Sequence, residues 1–240
     1  MSPRIVDLGD AALTLEFGDK IDVATNARVM AARDALLAAR PDGITDVVPA
    51  YASLTVHFDP SMLDRERLAS ALADAAQAHS ASSTATTTWM LPVCFGGDFG
   101  PDLAEVAAAT GRHEAEVVGA LCEADLRVFM IGFLPGFPYM GLLPQWLSLS
   151  RRATPRTAVA ANSVAIAGPQ AAVYPWQSPG GWHLLGRTPV RLFDLRDADR
   201  PALLAAGDRV RFRAIGSDEF CDIEAAIAEG TAGRHRWLAP

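Results

Sequence analysis

Residues 163–189 read Ser-Val-Ala-Ile-Ala-Gly-Pro-Gln-Ala-Ala-Val-Tyr-Pro-Trp-Gln-Ser-Pro-Gly-Gly-Trp-His-Leu-Leu-Gly-Arg-Thr-Pro. Short apolar runs alternate here with glycine, proline and serine, and the same pattern extends on both sides of the segment. Apolar runs bounded by turn-forming residues are typical of the strands of a β-barrel or β-sandwich. The runs lie at 126–132, 164–167, 172–174, 182–185 and 190–195. The second half of the chain is therefore predicted to be rich in β-structure.

The first 80 residues show a mixture of strand and helix patterns. Residues 13–17 and 54–58 alternate apolar with polar side chains, which predicts two half-buried strands. Apolar stripes at helical spacing predict helices within 22–40 and over 68–75. With a further strand near 44–50, this part of the chain is predicted to form a ββαββα-like layer of sheet and helices.

The segment 80–88 consists of serine, threonine and alanine and has little to bury. It is predicted to be a linker, or an edge that enters the next strand. We therefore predict two domains, a small α/β domain over 1–84 and a β-rich domain over 85–240. In the second domain, residues 101–110 and 113–124 are predicted to be short helices.

Composition and charge exclude several classes of function. The net charge of −7 gives no broad attraction to nucleic acid or to an anionic membrane, so we expect neither as a partner. Three dispersed cysteines predict neither a disulfide framework nor a zinc site, and no metal site is evident. The N-terminus lacks a signal-like apolar region, which predicts a cytoplasmic protein. The sequence contains no phosphate-loop, dinucleotide-binding, nucleophile-elbow or zinc-protease motif.

An apolar segment broken by prolines occupies residues 132–146, Gly-Phe-Leu-Pro-Gly-Phe-Pro-Tyr-Met-Gly-Leu-Leu-Pro-Gln-Trp. Pro135, Pro138 and Pro144 are predicted to prevent a regular helix or a central strand here. The apolar side chains of such an irregular segment must be shielded from water. Either it packs beneath its own barrel, or it forms a ligand wall or a subunit contact.

Arginine supplies all but one of the 21 basic residues, the exception being Lys20. This excess suits planar recognition of carboxylate or phosphate, although the codon bias of a GC-rich genome is the favoured explanation. Residues 151–156, Arg-Arg-Ala-Thr-Pro-Arg, place three guanidinium groups beside the proline-broken segment, and Arg187 adds a fourth. Together they suit a small anionic ligand, whereas singly each is explained as a solvated surface residue.

Residues 178–182, Ser-Pro-Gly-Gly-Trp, have proline and glycine where a type II turn requires them. Consecutive glycines also allow backbone N–H groups to approach a ligand closely. A simple hairpin turn explains the same residues. The histidine that follows, His183, is interpreted as a structural or surface residue rather than a base.

Six short motifs in the second half of the chain have a characteristic order and spacing. They are residues 132–140, 154–156, 163–170, 174–175, 178–182 and 186–189. In this order they resemble the family that comprises KipI, the B subunit of 5-oxoprolinase (PxpB) and allophanate hydrolase subunit 1. Supporting matches over the rest of the chain lie at 8–13, 48–51, 58–60, 91–93 and 99–103.

The resemblance implies an α+β architecture, with a small α/β, ferredoxin-like N-terminal domain followed by a cyclophilin-like β-barrel. It implies a larger partner of the KipA type, equivalent to the C subunit of 5-oxoprolinase. A third component then completes the ATP-dependent opening of 5-oxoproline to glutamate. ATP is expected to be bound by the complex, at a site that the sequence does not reveal. Fused relatives form the carboxyltransferase part of urea carboxylase.

Two positions depart from the family pattern. Cys122 stands where relatives usually have histidine, which weakens any catalytic role for that position here. Asn162 stands where relatives have glycine, so a side chain occupies a position whose backbone is expected to need a positive φ.

From these features we hypothesise that Arg156 and Arg187 are catalytic. One of them would bind a substrate carboxylate or phosphoryl group and stabilise developing charge. The substrate-binding residues are predicted to be Phe133, Pro135, Gly136, Phe137, Tyr139, Gln170, Tyr174, Ser178, Gly180, Gly181 and Trp182. The expected function is that of a small subunit in an ATP-dependent hydrolase of a cyclic amide, inactive alone. The alternatives are a regulator that inhibits a sensor histidine kinase, or a carboxyltransferase-like component of urea or allophanate metabolism.

Overall fold

A computed structural model of the chain describes residues 2–39, 41–78 and 87–239. The chain divides into two compact units, residues 1–85 and residues 86–240. The predicted linker at 80–88, and with it the boundary after residue 84, lies mostly outside the described residues. No described helix is both long and apolar enough to span a membrane.

The N-terminal unit is a four-stranded antiparallel sheet with two helices. Its elements are β1 (Arg4–Asp7), β2 (Ala12–Glu16), α1 (Val23–Ala39), β3 (Ile44–Pro49), β4 (Ser53–Phe58) and α2 (Arg65–Ala75). The strands lie in the order β1-β2-β4-β3. The predicted ββαββα order is therefore confirmed. A ferredoxin-like unit runs βαββαβ, whereas here the edge strand beside β2 comes from the start of the chain.

The core of this unit follows from strand alternation and helical periodicity. Leu13 lies opposite Val56, and Leu15 lies opposite Leu54, all four with their side chains buried on one face of the sheet. The helices cover that face with their own apolar stripes, in which Val29, Leu36, Leu68 and Leu72 are buried. These pairs were readable from sequence because both periods are local properties of the chain.

The C-terminal unit is a closed β-barrel with accessory helices. Its elements are β5 (Thr88–Phe95), α3 (Leu103–Thr110), α4 (Glu114–Glu123), β6 (Leu126–Ile131), β7 (Pro138–Gly141), β8 (Arg156–Val159), β9 (Ser163–Ala167), β10 (Gln170–Val173), β11 (Ser178–Gly180), β12 (His183–Arg187), β13 (Arg209–Ile215) and α5 (Ser217–Ala228). The barrel closes in the order β10-β7-β6-β13-β5-β12-β9, while β8 and β11 form a separate two-stranded sheet. The predicted barrel is confirmed.

The barrel strands bury side chains on both of their faces. One face contributes Val93, Val164, Ile166 and Leu185, among others, to the main core. The alternate positions Ala165, Ala172 and Leu184 join a second apolar cluster with Val159 of β8. Because residues i and i+2 share a face, this second cluster lies on the opposite side of the same strands. The small β8–β11 sheet contributes to it, and the candidate site is built there.

Three details differ from the sequence-based expectations. Pro138 was predicted to prevent a strand, but it is the first residue of β7, a position where proline is tolerated. Residues 178–180 were predicted to form a turn, but they form β11 and pair with β8. The apolar run 190–195 forms no strand among the described residues; only an isolated bridge links Phe193 to Ala202.

Candidate functional site

The proline-broken loop and the glycine-rich segment converge on one group of aromatic side chains. We define the aromatic cluster as Phe137, Tyr139, Tyr174 and Trp182. The Phe137 ring centroid lies 5.1 Å from that of Tyr174 and 6.2 Å from that of Trp182, while those of Tyr139 and Trp182 are 6.0 Å apart. The two segments therefore pack against each other through these rings.

Most of this cluster is packed rather than open to solvent. Phe137, Tyr174 and Trp182 are all buried, and Tyr139 is half-buried. Phe133, by contrast, is 63% exposed and makes an edge contact with Phe137 at 5.5 Å. The buried rings therefore support the site, while Tyr139 and Phe133 form its accessible edges.

The glycine-rich segment lies against Tyr174. The backbone N–H of Trp182 donates to the Tyr174 phenol oxygen. A Cβ atom at Gly180 would lie 2.3 Å from that oxygen, whereas a Cβ at Gly181 would meet nothing closer than 3.6 Å. Glycine is therefore required at position 180 for close approach to a buried side chain.

Burial changes the acidity of both phenols in the cluster. It raises the pKa of Tyr139 and the pKa of Tyr174 above the usual range. The positive charge of Arg151 opposes this rise at both residues, and Arg156 adds a smaller opposing effect at Tyr174. Both phenols are therefore neutral near pH 7 and able to donate a hydrogen bond.

One buried carboxylate organises the arginines beside this cluster. Asp102 is 3% exposed and stands at the N-cap position of α3. Its Oδ1 accepts from Arg156 Nη2 at 2.6 Å and from Arg152 Nη1 at 3.1 Å. Its Oδ2 accepts the backbone N–H of Leu184 at 2.7 Å, and Arg152 also reaches Glu105 at 2.8 Å. Asp102 thus holds two guanidinium groups against β12.

The remaining guanidinium of the 151–156 segment has no such compensation. Arg151 lies with its guanidinium carbon 5.8 Å from the centroid of the Trp182 ring. Among the described carboxylates none forms an ion pair with it, whereas Arg152 and Arg156 both pair with Asp102. Arg151 is also exposed. Among the described residues, Arg151 is therefore an accessible positive charge at the aromatic cluster that no carboxylate compensates.

Several buried polar atoms near this network have no hydrogen-bond partner among the described residues. They are Arg152 Nε, Arg156 Nη1, Ser178 Oγ and His183 Nδ1. Because buried polar groups are normally satisfied, these atoms are candidates for hydrogen bonds to a ligand. His183 Nε2 lies 2.9 Å from the carbonyl oxygen of Ser150, which supports the structural interpretation of this histidine.

The other predicted residues are distributed around this centre. Gln170 pairs in register with Ala167, on the same strand face as the cluster, and Pro135 and Gly136 lie in the loop before Phe137. Ser178 is buried opposite Val159 of β8. Arg187 lies apart: its guanidinium carbon is 5.5 Å from the centroid of the Phe220 ring and Nη2 is 3.8 Å from Glu224.

The structure shows the backbone or the burial of the two positions that depart from the family pattern, Asn162 and Cys122. Asn162 has φ of +63°, so the expectation of a left-handed backbone is confirmed. Phe133 has φ of +69°, which was not expected. Cys122 is half-buried, and its burial raises the pKa of the thiol, which does not favour a nucleophile.

Two residues of this centre were not singled out from sequence. Asp102 belongs to the 99–103 motif, which was noted only as a supporting match. Arg151 was one of three arginines in its segment, and nothing in the local pattern distinguished it from Arg152. Among the described residues, no group of three or more histidine, cysteine or acidic side chains is arranged to hold a metal ion.

The family to which the chain belongs follows from comparison with known proteins. The family model "Carboxyltransferase domain, subdomain C and D" matches residues 3–204, and so covers the N-terminal unit and the whole candidate site. The chain belongs to this family. It is 35% identical over 232 residues to the B subunit of 5-oxoprolinase from Bacillus subtilis (strain 168), a match that covers 90% of this chain and 95% of that relative.

Solved structures show the same fold within longer polypeptides. The crystal structure of TTHA0988 superposes with a TM-score of 0.77 at 37% identity, covering 86% of this chain but 40% of that one. The urea amidolyase of K. lactis superposes with a TM-score of 0.78 over 94% of this chain and 16% of its own. At 21% identity, this second likeness shows the fold alone. In both proteins a member of this fold is one part of a larger chain.

Proposed function

We propose that this chain is the B subunit of a 5-oxoprolinase-type hydrolase, and that the aromatic cluster with Arg151 receives the carboxylate of a small cyclic amide. The proposal is supported by the match to the B subunit of 5-oxoprolinase along nearly the full length of both chains. The main observation for the site is the Arg151 guanidinium over Trp182, which has no carboxylate partner among the described residues and lies beside two neutral phenols.

The residues of the centre have complementary tasks in this proposal. Arg151 binds the ligand carboxylate through charge-assisted hydrogen bonds, which are stronger than neutral ones. The half-buried Tyr139 packs against the ring of the ligand. Arg156, held by Asp102 through Nη2, keeps Nη1 for the amide oxygen, where negative charge develops as the ring opens.

Nucleotide is assigned to the complex rather than to this chain. The sequence has a single lysine, Lys20, and no phosphate-binding loop, so it lacks both elements of the common nucleotide-binding loop. When bound by the complex, ATP would activate the cyclic amide of the substrate for hydrolysis. We propose that a larger subunit provides that site and the nucleophile, and that a third component is also needed, so that this chain is inactive alone.

Substituting Arg151 tests the site directly. In a complex reconstituted with the larger subunit and any third component, Arg151→Ala is expected to raise the KM for 5-oxoproline about ten- to hundredfold, because a charged hydrogen bond is lost. Arg151→Lys should recover part of the loss. Arg67→Ala, an exposed arginine of α2, is the matched control and should leave KM unchanged.

Arg187→Ala tests whether Arg187 and Arg151 differ in their effect on KM. Because Arg187 lies over Phe220 and not at the aromatic cluster, its substitution should affect KM less than Arg151→Ala does. An unchanged KM in Arg151→Ala would remove the carboxylate site from this proposal. Absence of ATP-dependent 5-oxoproline hydrolysis in the wild-type complex would overturn the proposed activity itself.

A further inference from the structure

An exposed aromatic surface begins at the edge of the candidate site, at Phe133, and extends away from it. We define the aromatic face as Phe133, Trp176 and Phe193. Phe133 is 63% exposed and Trp176 is 42% exposed. The Trp176 and Phe193 ring centroids are 5.8 Å apart, and Phe193 packs closely against the loop that carries Phe133, since a Cβ at Gly136 would lie 2.9 Å from Phe193 Cβ.

The backbone holds Phe133 outward in a conformation that aromatic residues rarely adopt. Its φ of +69° lies in the left-handed region, where a Cβ atom is disfavoured. Two short backbone bonds fix the loop, from Leu134 N to the Gly132 oxygen at 2.8 Å and from Phe137 N to the Leu134 oxygen at 3.0 Å. Within the described part of the chain, the ring rests on the edge of Phe137 while most of it faces water. Strain of this kind points to a functional role.

The two segments that form most of the face carry no charge. Residues 132–138 and 175–179 contain no lysine, arginine, histidine, aspartate or glutamate. Protein interfaces are depleted of charged residues at their centres and enriched in phenylalanine and tryptophan. The face therefore suits an apolar polypeptide surface better than a soluble anion.

We propose that the aromatic face is the docking surface for the larger subunit of the complex. This inference rests on the proposed function. TTHA0988, at 37% identity, continues well beyond the region that this chain matches, so in that protein the same fold is joined to further polypeptide. Phe133 touches Phe137 of the aromatic cluster, so a subunit bound here lies at the edge of the candidate site.

Phe133→Gly is the most informative variant. Glycine adopts a positive φ at little cost, so this substitution removes the ring while relieving the backbone. We expect thermal stability that equals or exceeds that of the wild type, together with about tenfold or greater weakening of binding to the purified larger subunit. A residue with a purely structural role would give the opposite result for stability.

Trp176→Ala provides an independent test, and Trp146→Ala is its matched control. Trp146 is 36% exposed and packs against Arg112 outside the face, so its loss should leave the dissociation constant unchanged. Trp176→Ala should weaken binding about tenfold or more. Binding is measured by isothermal titration calorimetry with the larger subunit of the same organism.

The outcomes separate this inference from the function on which it rests. Wild-type binding that survives both Phe133→Gly and Trp176→Ala would overturn the docking surface and leave the proposed function intact. If the wild-type chain does not bind the larger subunit at all, the proposed complex itself fails. Self-association of the wild type that both variants abolish, without any change in subunit binding, would assign the face to a second copy of this chain and overturn the inference.

Discussion

Arg156 Nη2 donates to Asp102 Oδ1 at 2.6 Å, across 54 residues of sequence. The same carboxylate receives the backbone N–H of Leu184 through its other oxygen. A single buried side chain therefore links the start of α3 to β8 and to β12. This link leaves Arg151 as the guanidinium without a carboxylate among the described residues, and so determines which arginine can attract an anion.

Asp102→Asn should destabilise the protein substantially. The substitution preserves shape but removes the charge that compensates Arg152 and Arg156. Removing one partner of a fully buried ion pair costs about 3–5 kcal/mol, and the cost here should lie below that range because both guanidinium groups are part-exposed. Asp98→Asn, at an exposed position in the preceding loop, is the control and should change the free energy of unfolding by less than about 0.5 kcal/mol. Urea denaturation measures both; equal values for the two variants would show that the network contributes little.

Adjacent glycines should respond differently to the same substitution. Gly180→Ala places a methyl group 2.3 Å from the Tyr174 oxygen, so either the segment or the phenol must move. Overpacking of this kind costs about 1–3 kcal/mol. Gly181→Ala meets Pro155 at 3.6 Å and the Arg152 carbonyl oxygen at 3.8 Å, both ordinary van der Waals distances, and should be nearly neutral. Melting temperatures of the two variants test the expectation, and an unshifted Gly180→Ala would contradict the close contact.

The Asn162→Ala and Asn162→Gly variants are expected to differ in their free energy of unfolding. At φ of +63°, alanine should lose about 1–2 kcal/mol relative to glycine, which adopts this conformation freely. Asn162→Gly should therefore be at least as stable as Asn162→Ala in every denaturant titration. A more stable alanine variant would argue against a left-handed backbone at this position.

Stability should fall at alkaline pH because of the buried phenols. The pKa values of Tyr139 and Tyr174 are raised in the folded protein, so the unfolded chain loses these protons first. Their contribution is complete below the unfolded pKa of about 10 and is lost as pH rises through the folded values. The Tyr139→Phe/Tyr174→Phe double variant should show a weaker decline above about pH 10. Unfolding titrations at several pH values, with absorbance used to follow phenolate formation, measure the difference.

Much of the fold followed from local patterns. The alternation in β2 and β4 and the apolar stripes of α1 and α2 were visible because strand and helix periods depend on neighbouring residues only. In the second half of the chain, most of the strands predicted between turn-forming residues are present in the structure. Pro138 and residues 178–180 were misjudged because a strand start and an edge pairing depend on which partner is available.

The candidate site was predictable in part. The sequence placed the loop containing Phe137 and the segment ending at Trp182 in one functional region, and the structure joins them. Arg156 and Arg187 appeared equivalent in sequence, yet one is tied to Asp102 and the other lies over Phe220. Their roles in binding stay predictions, as do those of the remaining site residues.

Sequence alone established a two-part α+β chain with a barrel and an arginine-rich, aromatic second half, because hydrophobic periodicity and turn chemistry are written within a few residues. Tertiary structure alone decided which guanidinium is neutralised and which stays available. An ion pair depends on distance in space, and the carboxylate that distinguishes Arg156 from Arg151 enters from a helix some fifty residues earlier. No local sequence pattern predicts this ion pair.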